Sequence, residues 1–411
     1  MNKPVVTPGM GQITFKFEEE KLRVVAERYD DDGTAVLSFF PDGTGEVLLD
    51  RNKVNLLSAQ SKSTQARRLQ QNRPDIAWDD TLTWITHLLD EARREPLVSI
   101  GKRPERMLVE YQVRPILEKG QPTTIYGPGG SAKSYLAAYI ACLVQFGVAG
   151  LGGQWKPEQG NVIYLDWESS SGDHKRRAWA IKQGLGLDTE DTFQYGFCSQ
   201  PLVADIHNLQ RLVDERKIAL VIIDSQMAAS GYGPDPSQVS SQYYNALRSL
   251  RCTTVTLDHV SKAEWGKLAD ADSTGPYGSV VKFNRSRSQF EVRKSQSPGA
   301  NFVELGLYHH KHNEGPLLKE VGIRVEFVND ADGVLEKVTF SPCEVSDNPE
   351  LSKRLTVKAR LISALGGGTM SVKGLAEVTG ISEDIIRTNL NRYKDTFVNL
   401  GNEWGLRAYE S

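Results

Sequence analysis

The segment Gly127-Pro128-Gly129-Gly130-Ser131-Ala132-Lys133-Ser134 constrains this chain more than any other stretch. The apolar run Thr124-Ile125-Tyr126 precedes it, and Tyr135-Leu136-Ala137-Ala138-Tyr139-Ile140-Ala141 follows with the composition of a helix. A strand, a glycine-rich turn and a helix opened by Lys-Ser together surround a triphosphate with backbone N–H groups. The residues from Gly127 to Tyr135 are therefore the candidate ATP contacts. Lys133 would reach the β- and γ-phosphates, and the Ser134 hydroxyl would ligate Mg²⁺. One position departs from the pattern G-x-x-x-x-G-K-[ST], because Ala132 stands where the second glycine is expected. A methyl group costs nothing there if the residue is helical, and restricts the backbone if it is not.

A phosphate loop needs an open α/β sheet behind it, and the surrounding chain alternates accordingly. Strands are expected at 123–126, 161–166, 219–224 and 253–257, with helices at 175–185, 208–217 and 237–250. Continuous apolar strands separated by helices mean a buried, mostly parallel sheet. Segments 288–293, 302–310, 322–327 and 334–340 read as antiparallel strands appended to it.

The flanks differ in character. Upstream, Ile13, Phe15 and Phe17 alternate with Thr14, Lys16 and Glu18, the period of a half-buried strand. Further strands are expected at 22–27, 35–40 and 46–49, with turns at Asp31-Asp32-Gly33 and Pro41-Asp42-Gly43. Two helices follow, the second with the apolar stripe Leu82, Ile85, Leu88, Leu89 and Ala92, capped by Asp79 or Asp80. Downstream, a helix at 353–365 stops at Gly366-Gly367-Gly368. Helices at 372–378 and 382–393, the latter with Ser382 as N-cap, flank a Thr379-Gly380 turn. Strands at 396–400 and 403–406 around Gly401-Asn402 complete the pattern of a winged helix. The expected organisation is a β-rich N-terminal module (1–105), an α/β P-loop core (106–345) and a winged-helix tail (346–411), in keeping with 411 residues.

Composition narrows the function. Hydrophobic residues make up 39% and charged residues 25%, which are globular values. A net charge of −3 excludes a chain coated in positive charge, so any nucleic-acid contact must be local. Cys142, Cys198, Cys252 and Cys343 lack metal-type spacing, and Cys142 and Cys252 lie in apolar surroundings, which fits a reducing cytoplasm. The start Met-Asn-Lys-Pro has no apolar signal core behind it, and the most apolar stretch, 135–151, is too short for a membrane span.

Four further segments carry chemistry. The strand Ala219-Leu220-Val221-Ile222-Ile223-Asp224 ends in a carboxylate suited to hold Mg²⁺ opposite Ser134. The strand from Val162 runs into Asp166 and Glu168, either of which is the right type to activate a water. Asp258 and His259 follow the next core strand, where a polar group can report the γ-phosphate. Arg285 and Arg287 are candidates for a cation that neutralises developing charge on a neighbour's nucleotide.

Together these elements resemble the RecA-like ATPases, most closely the RepA-type helicase ATPases of plasmids and phages, over residues 110–330. The resemblance implies Glu168 as the catalytic base, with Asp166 at a variable position. The family's Asp-His-x-x-Lys matches Asp258-His259-Val260-Ser261-Lys262 and implies His259 as the γ-phosphate sensor. Its Gly-Ser, helix and arginine match Gly278-Ser279 and Arg287, which implies Arg287 rather than Arg285 as the trans-acting finger. A lysine on a later strand matches Lys311. The family also implies a homo-oligomeric ring, commonly a hexamer, with ATP between subunits and single-stranded DNA in the channel. Loops 227–235 and 262–274 would line that channel. In the second, Lys262 and Lys267 meet phosphates and Trp265 stacks a base, against the opposing charge of Asp270 and Asp272.

The expected function is an ATP-dependent DNA helicase or translocase in phage or plasmid replication. The alternative is a nucleotide-switched DNA-binding or loading protein without unwinding activity. In that case the tail helix would present Arg387, Asn391 and Arg392 to duplex DNA, or the tail would bind a protein.

Overall fold

A computed structural model of the chain describes residues 3–9, 12–30, 33–42, 47–93, 109–260 and 280–407. The N-terminal part is an antiparallel meander of β1 (Val5–Gly9), β2 (Gln12–Phe17), β3 (Leu22–Tyr29), β4 (Thr34–Pro41) and β5 (Leu49–Asn55), each strand beside the next in sequence. Helices α1 (Ala59–Gln70) and α2 (Trp78–Arg93) close its core, where Leu82, Ile85, Leu88 and Leu89 meet Phe15, Phe17, Val24 and Phe39. The last strand lies later than the expected 46–49, because Arg51, Asn52 and Lys53 make its sequence look like a loop. Asp79 and Asp80 occupy the first turn of α2 rather than its cap, a position that the helix dipole also favours.

The central part begins with β6 (Tyr111–Arg114) and β7 (Leu117–Glu118), followed by β8 (Pro122–Gly127) and α3 (Lys133–Phe146). Then come β9 (Lys156–Pro157), β10 (Asn161–Asp166), α4 (Ser171–Gly184), β11 (Gln194–Phe197), α5 (Leu202–Glu215) and β12 (Ile218–Asp224). The run continues with α6 (Gln226–Ser230), α7 (Pro236–Ser249), β13 (Thr253–His259), α8 (Val280–Arg285), β14 (Ser288–Ser295), β15 (Phe302–His312), β16 (Val321–Asn329) and β17 (Leu335–Cys343).

Nine of these strands form one sheet in the order β11-β10-β12-β13-β8-β14-β15-β16-β17. The first six are parallel and the last three alternate. The strand at 288–295 therefore joins β8 in parallel, contrary to the antiparallel expectation. Phe290 and Val292 alternate with Gln289 and Glu291 along it, and all four are buried.

Helix α3 is buried from Leu136 to Val144 without a polar face. Such a helix needs apolar cover on every side. Both ends of the sheet supply it: Leu220 and Ile222 come from one half, Leu305, Ile323 and Val338 from the other, and Ala178 and Ile181 of α4 complete the cluster. The phosphate loop thus opens a helix fixed at the centre of the domain.

The C-terminal part holds α9 (Pro349–Ser352), α10 (Val357–Leu365), α11 (Val372–Thr379), α12 (Glu383–Arg392), β18 (Phe397–Asn399) and β19 (Trp404–Leu406). The helix expected at 353–365 starts later, at Val357, because Thr356 caps α10 through Ala359 N–H; the short α9 ends before the expected start. Ser382 sits at the N-cap of α12 without a side-chain cap bond. Leu361, Leu375, Ile386, Leu390 and Phe397 form a separate small core. Among the described residues, no helix is long and apolar enough to cross a membrane.

Candidate nucleotide site

Parallel strands deliver their C-terminal ends to one edge, and the candidate groups gather there. Register aligns Asp166 with Asp224, Asp224 with Leu257, and His259 with Gly127. Between β8 and α3 the turn exposes Gly129 and Gly130, where an added Cβ would meet nothing, so backbone is accessible to a ligand. Gly127 is different: a Cβ there would lie 2.4 Å from Val292 O, so the loop is seated against β14.

Ala132 adopts φ 60° and ψ 21°, a left-handed conformation just ahead of α3. The methyl is therefore not harmless, since that region costs a non-glycine residue about 1–2 kcal/mol. Lys133 is buried, and its ammonium donates to Gly127 O (2.9 Å) and Pro128 O (2.8 Å), with Ser131 Oγ at 3.4 Å. Burial pushes it down to about 8, against the pull of Asp224, Asp258 and Glu168. Tyr135 packs its ring edge-on against Phe327 at 5.2 Å, with the Arg177 guanidinium 5.2 Å from the ring centre. Its side chain is thus committed to packing.

Ser134 Oγ donates to Asp224 Oδ2 at 2.7 Å, and Tyr164 OH donates to the same oxygen at 2.8 Å. Burial pushes the Asp224 carboxyl up, while the two hydroxyls pull it down less strongly. A buried carboxylate bonded to two hydroxyls and, among the described residues, to no cation, beside a second hard oxygen donor, fits a divalent cation such as Mg²⁺. Both residues expected at the metal are therefore brought together. Tyr164 was not anticipated, because a tyrosine inside an apolar strand reads as core.

Asp166 and Glu168 separate cleanly by environment. Asp166 is fully buried and accepts from Glu168 N–H (2.9 Å), Ser169 N–H (3.0 Å) and Tyr195 OH (3.0 Å). His174 Nε2 lies 3.1 Å away, at ion-pair distance but outside hydrogen-bond alignment. Burial pushes the Asp166 carboxyl up, yet these partners outweigh it and hold it below the usual range. Its lone pairs are spent on shaping the turn that presents Glu168.

Glu168 faces solvent more openly. Its Oε1 accepts from the Ser225 hydroxyl and lies 3.7 Å from His259 Nε2. His259 holds the Glu168 carboxyl below its usual range, burial opposes this, and Ser225 adds to the lowering. Glu168, Ser225 and His259 thus form one polar group at the strand edge, with Ser225 the member that sequence reasoning missed.

The remaining expectations divide. Asp258 is buried and pairs with Lys282 at 2.8 Å. Lys262, Trp265, Lys267, Asp270, Asp272, Gly278 and Ser279 lie outside the described residues. Lys311 donates to Phe283 O (2.6 Å), Asn284 O (3.0 Å) and Ser286 O (2.7 Å), so it clamps the end of α8. Arg287 is not at this edge. Its N–H donates to Pro122 O, and Ser288 registers with Thr123, which places it at the opposite end of β8. Six residues of strand, about 20 Å, separate it from its own phosphate loop.

A family model described as an AAA domain matches residues 89–264. No curated protein matches the chain. Among solved structures that match is a KaiC-like protein from the hyperthermophilic archaeon Pyrococcus horikoshii. It is 12% identical, with 56% of this chain and 94% of that chain covered and a TM-score of 0.37. The AAA-domain match and the mostly parallel sheet around the phosphate loop fit a RecA-like P-loop ATPase core.

Proposed function

We propose that the chain is an ATP-dependent DNA helicase or translocase that hydrolyses ATP between subunits of a homo-oligomeric ring, in phage or plasmid replication. One observation carries this reading. Lys133, Ser134, Asp224, Glu168 and His259 converge at one strand edge, while Arg287 lies at the other, out of reach of the same site. Arg287 can therefore act on a nucleotide only where a second copy of the chain holds it.

In this mechanism the exposed loop backbone grips the triphosphate, and Lys133 turns from its loop carbonyls to the β- and γ-phosphates. Ser134 and Asp224 would hold Mg²⁺, which would supply neutralisation of the charge developing on the phosphate oxygens. Glu168, ionised and oriented by Ser225, accepts a proton from the attacking water. His259, beside Glu168, senses whether the γ-phosphate is present.

Tyr232, in the loop after α6, is 94% exposed and offers a face on which a DNA base can stack. α12 begins with Glu383 and Asp384, and Arg387 is tied to Glu383 at 3.0 Å. That acidic opening is a poor match for DNA phosphates, so the tail is assigned to protein contacts within this reading.

The test is ATP turnover with and without single-stranded DNA. Stimulation by DNA with directional strand displacement is expected; equal low rates in both conditions would sink the proposal. Glu168→Gln should retain ATP binding and lose about 10²–10⁴-fold in turnover. Normal turnover by that variant would refute the base assignment. Ala132 favours a second reading, a nucleotide switch without unwinding, because strain in the loop argues for slow hydrolysis. Turnover without displacement on any forked substrate would select it.

A further inference from the structure

Four cations surround the segment that carries Arg287, and among the described residues no carboxylate pairs with them. Arg248, at the end of α7, donates to Arg285 O at 3.3 Å, and Arg285 donates weakly to Asn245 Oδ1 at 3.4 Å. Lys311 spends its three protons on backbone carbonyls of the same segment. Among the described residues, none of Arg248, Arg285, Arg287 or Lys311 makes an ion pair, and no hydrogen bond holds the Arg287 side chain. By contrast, nearby Lys282 is neutralised by Asp258.

The four charges feel one another. Burial lowers Arg248, and Arg285 and Arg287 lower it further; burial lowers Lys311, and Arg287 adds to that. Like charges held together without an anion repel, and the fold keeps them so by rigid means. Ser286, between the two arginines, is fully buried; it accepts from Thr124 Oγ1 (3.0 Å) and donates to Ser288 O (2.8 Å). Such an arrangement suits an anion of several charges, close to the charge of a triphosphate bound with Mg²⁺ or of its transition state. The chain's own loop lies at the far end of β8, so the anion comes from elsewhere.

We propose that Arg248 is a second phosphate-contacting arginine beside Arg287, and that together they clamp the nucleotide held by a neighbouring copy of the chain while Lys311 fixes their backbone. The inference rests on the trans-acting reading of Arg287 and extends it to a residue on a different helix. Arg248 is exposed in the last turn of α7, where it can reach outward without disturbing packing. A delocalised guanidinium at each prong grips phosphate oxygens in fork geometry, which a lysine cannot reproduce.

The experiment mixes inactive full-length chains. Arg248→Ala should still bind ATP at its own loop, read by a fluorescent nucleotide, yet lose at least tenfold in turnover. Arg248→Lys should recover only part of it. Arg248→Ala mixed in equal amounts with Glu168→Gln should regain about a quarter of wild-type turnover. That is the share of interfaces pairing an intact loop with an intact clamp in a heterologous ring.

Wild-type turnover by Arg248→Ala, or no recovery on mixing, overturns the proposal. If Arg287→Ala is inactive and recovers on mixing while Arg248→Ala is unaffected, only the present inference fails. If Arg287→Ala itself turns over normally, the trans-acting reading beneath it fails. Unchanged DNA-free turnover by Arg248→Ala with weakened binding of single-stranded DNA would reassign the patch to the nucleic-acid backbone and likewise overturn the clamp.

Discussion

Ala132 is where the sequence pattern and the backbone disagree most sharply. Its φ of 60° belongs to glycine, and glycine is the residue that the phosphate-loop pattern expects there. Relief of left-handed strain gives about 1–2 kcal/mol, while the unfolded chain's greater freedom with glycine takes back about 0.5–1 kcal/mol. Ala132→Gly should therefore stabilise the chain by up to about 1.5 kcal/mol in urea unfolding, with ATP turnover raised. A lower midpoint together with unchanged turnover would mean that the methyl's packing outweighs its strain. A second residue-scale prediction concerns His309, buried in β15 and stacked on Phe290 with ring centres 4.2 Å apart. Its Nδ1 accepts from Leu318 N–H at 3.0 Å, so Nε2 carries the proton toward Ser288 Oγ at 2.9 Å. Burial pushes it down to about 4, and the charge of His312 adds to this. Between pH about 6.5 and 4 the unfolded chain takes up a proton that the folded chain refuses. Stability should thus fall across that window by about 3 kcal/mol and level off below it. His309→Gln, which keeps a donor and an acceptor, should flatten the urea midpoint over the same range; an unchanged slope would place the acid sensitivity elsewhere.

At the scale of elements, the packing of α4 against β17 depends on one missing side chain. A Cβ on Gly184 would lie 1.8 Å from Val338 O, a backbone atom that cannot rotate away. Gly184→Ala should cost about 1–3 kcal/mol, seen as a lower thermal midpoint, because helix and strand must separate to admit the methyl. A neutral substitution would show that the two elements are not tightly joined. Sequence pattern could not reveal this contact, since β17 follows α4 by some 150 residues and periodicity reports only which face is apolar. The same limit explains the other differences. Strands β8, β10, β12 and β13 were legible because buried parallel strands are continuous apolar runs ended by chemistry-bearing residues. β14 was legible as a strand but not in its direction, because its buried Glu291 is satisfied by partners distant in sequence, His310 and Arg354. β11 was not legible at all, being four residues with only one neighbour in the sheet. In the candidate site, Ser134 and Asp224 could be paired in advance because each ends or begins an element. Ser225 and Tyr164 could not, since a hydroxyl gains its role only from what the fold sets beside it.

On the scale of the whole molecule, the chain has separate hydrophobic cores rather than one. The N-terminal meander and its two helices share a core of their own, distinct from the cluster around α3. Contact between the two parts is polar where it is seen, with Arg211 of α5 lying 3.6 Å from Glu27 of β3. A surface ion pair of this kind, even half-buried, is worth on the order of 1 kcal/mol, too little to make two cores unfold as one. A nucleotide held at the α3 loop, as proposed, would lie against the cluster around α3. A ligand that binds the folded form alone stabilises it by about 2.7 kcal/mol at a hundredfold excess over its dissociation constant. Calorimetry should therefore resolve two transitions, of which Mg²⁺ and ATP raise one and leave the other in place. Glu168→Gln, which keeps the nucleotide intact during the scan, is the form to use. The stationary transition should coincide with the melting of residues 1–93 prepared alone. A single transition that moves as a whole with nucleotide would show that the modules are coupled. The N-terminal meander would then have to be counted as part of the ATP-responsive unit.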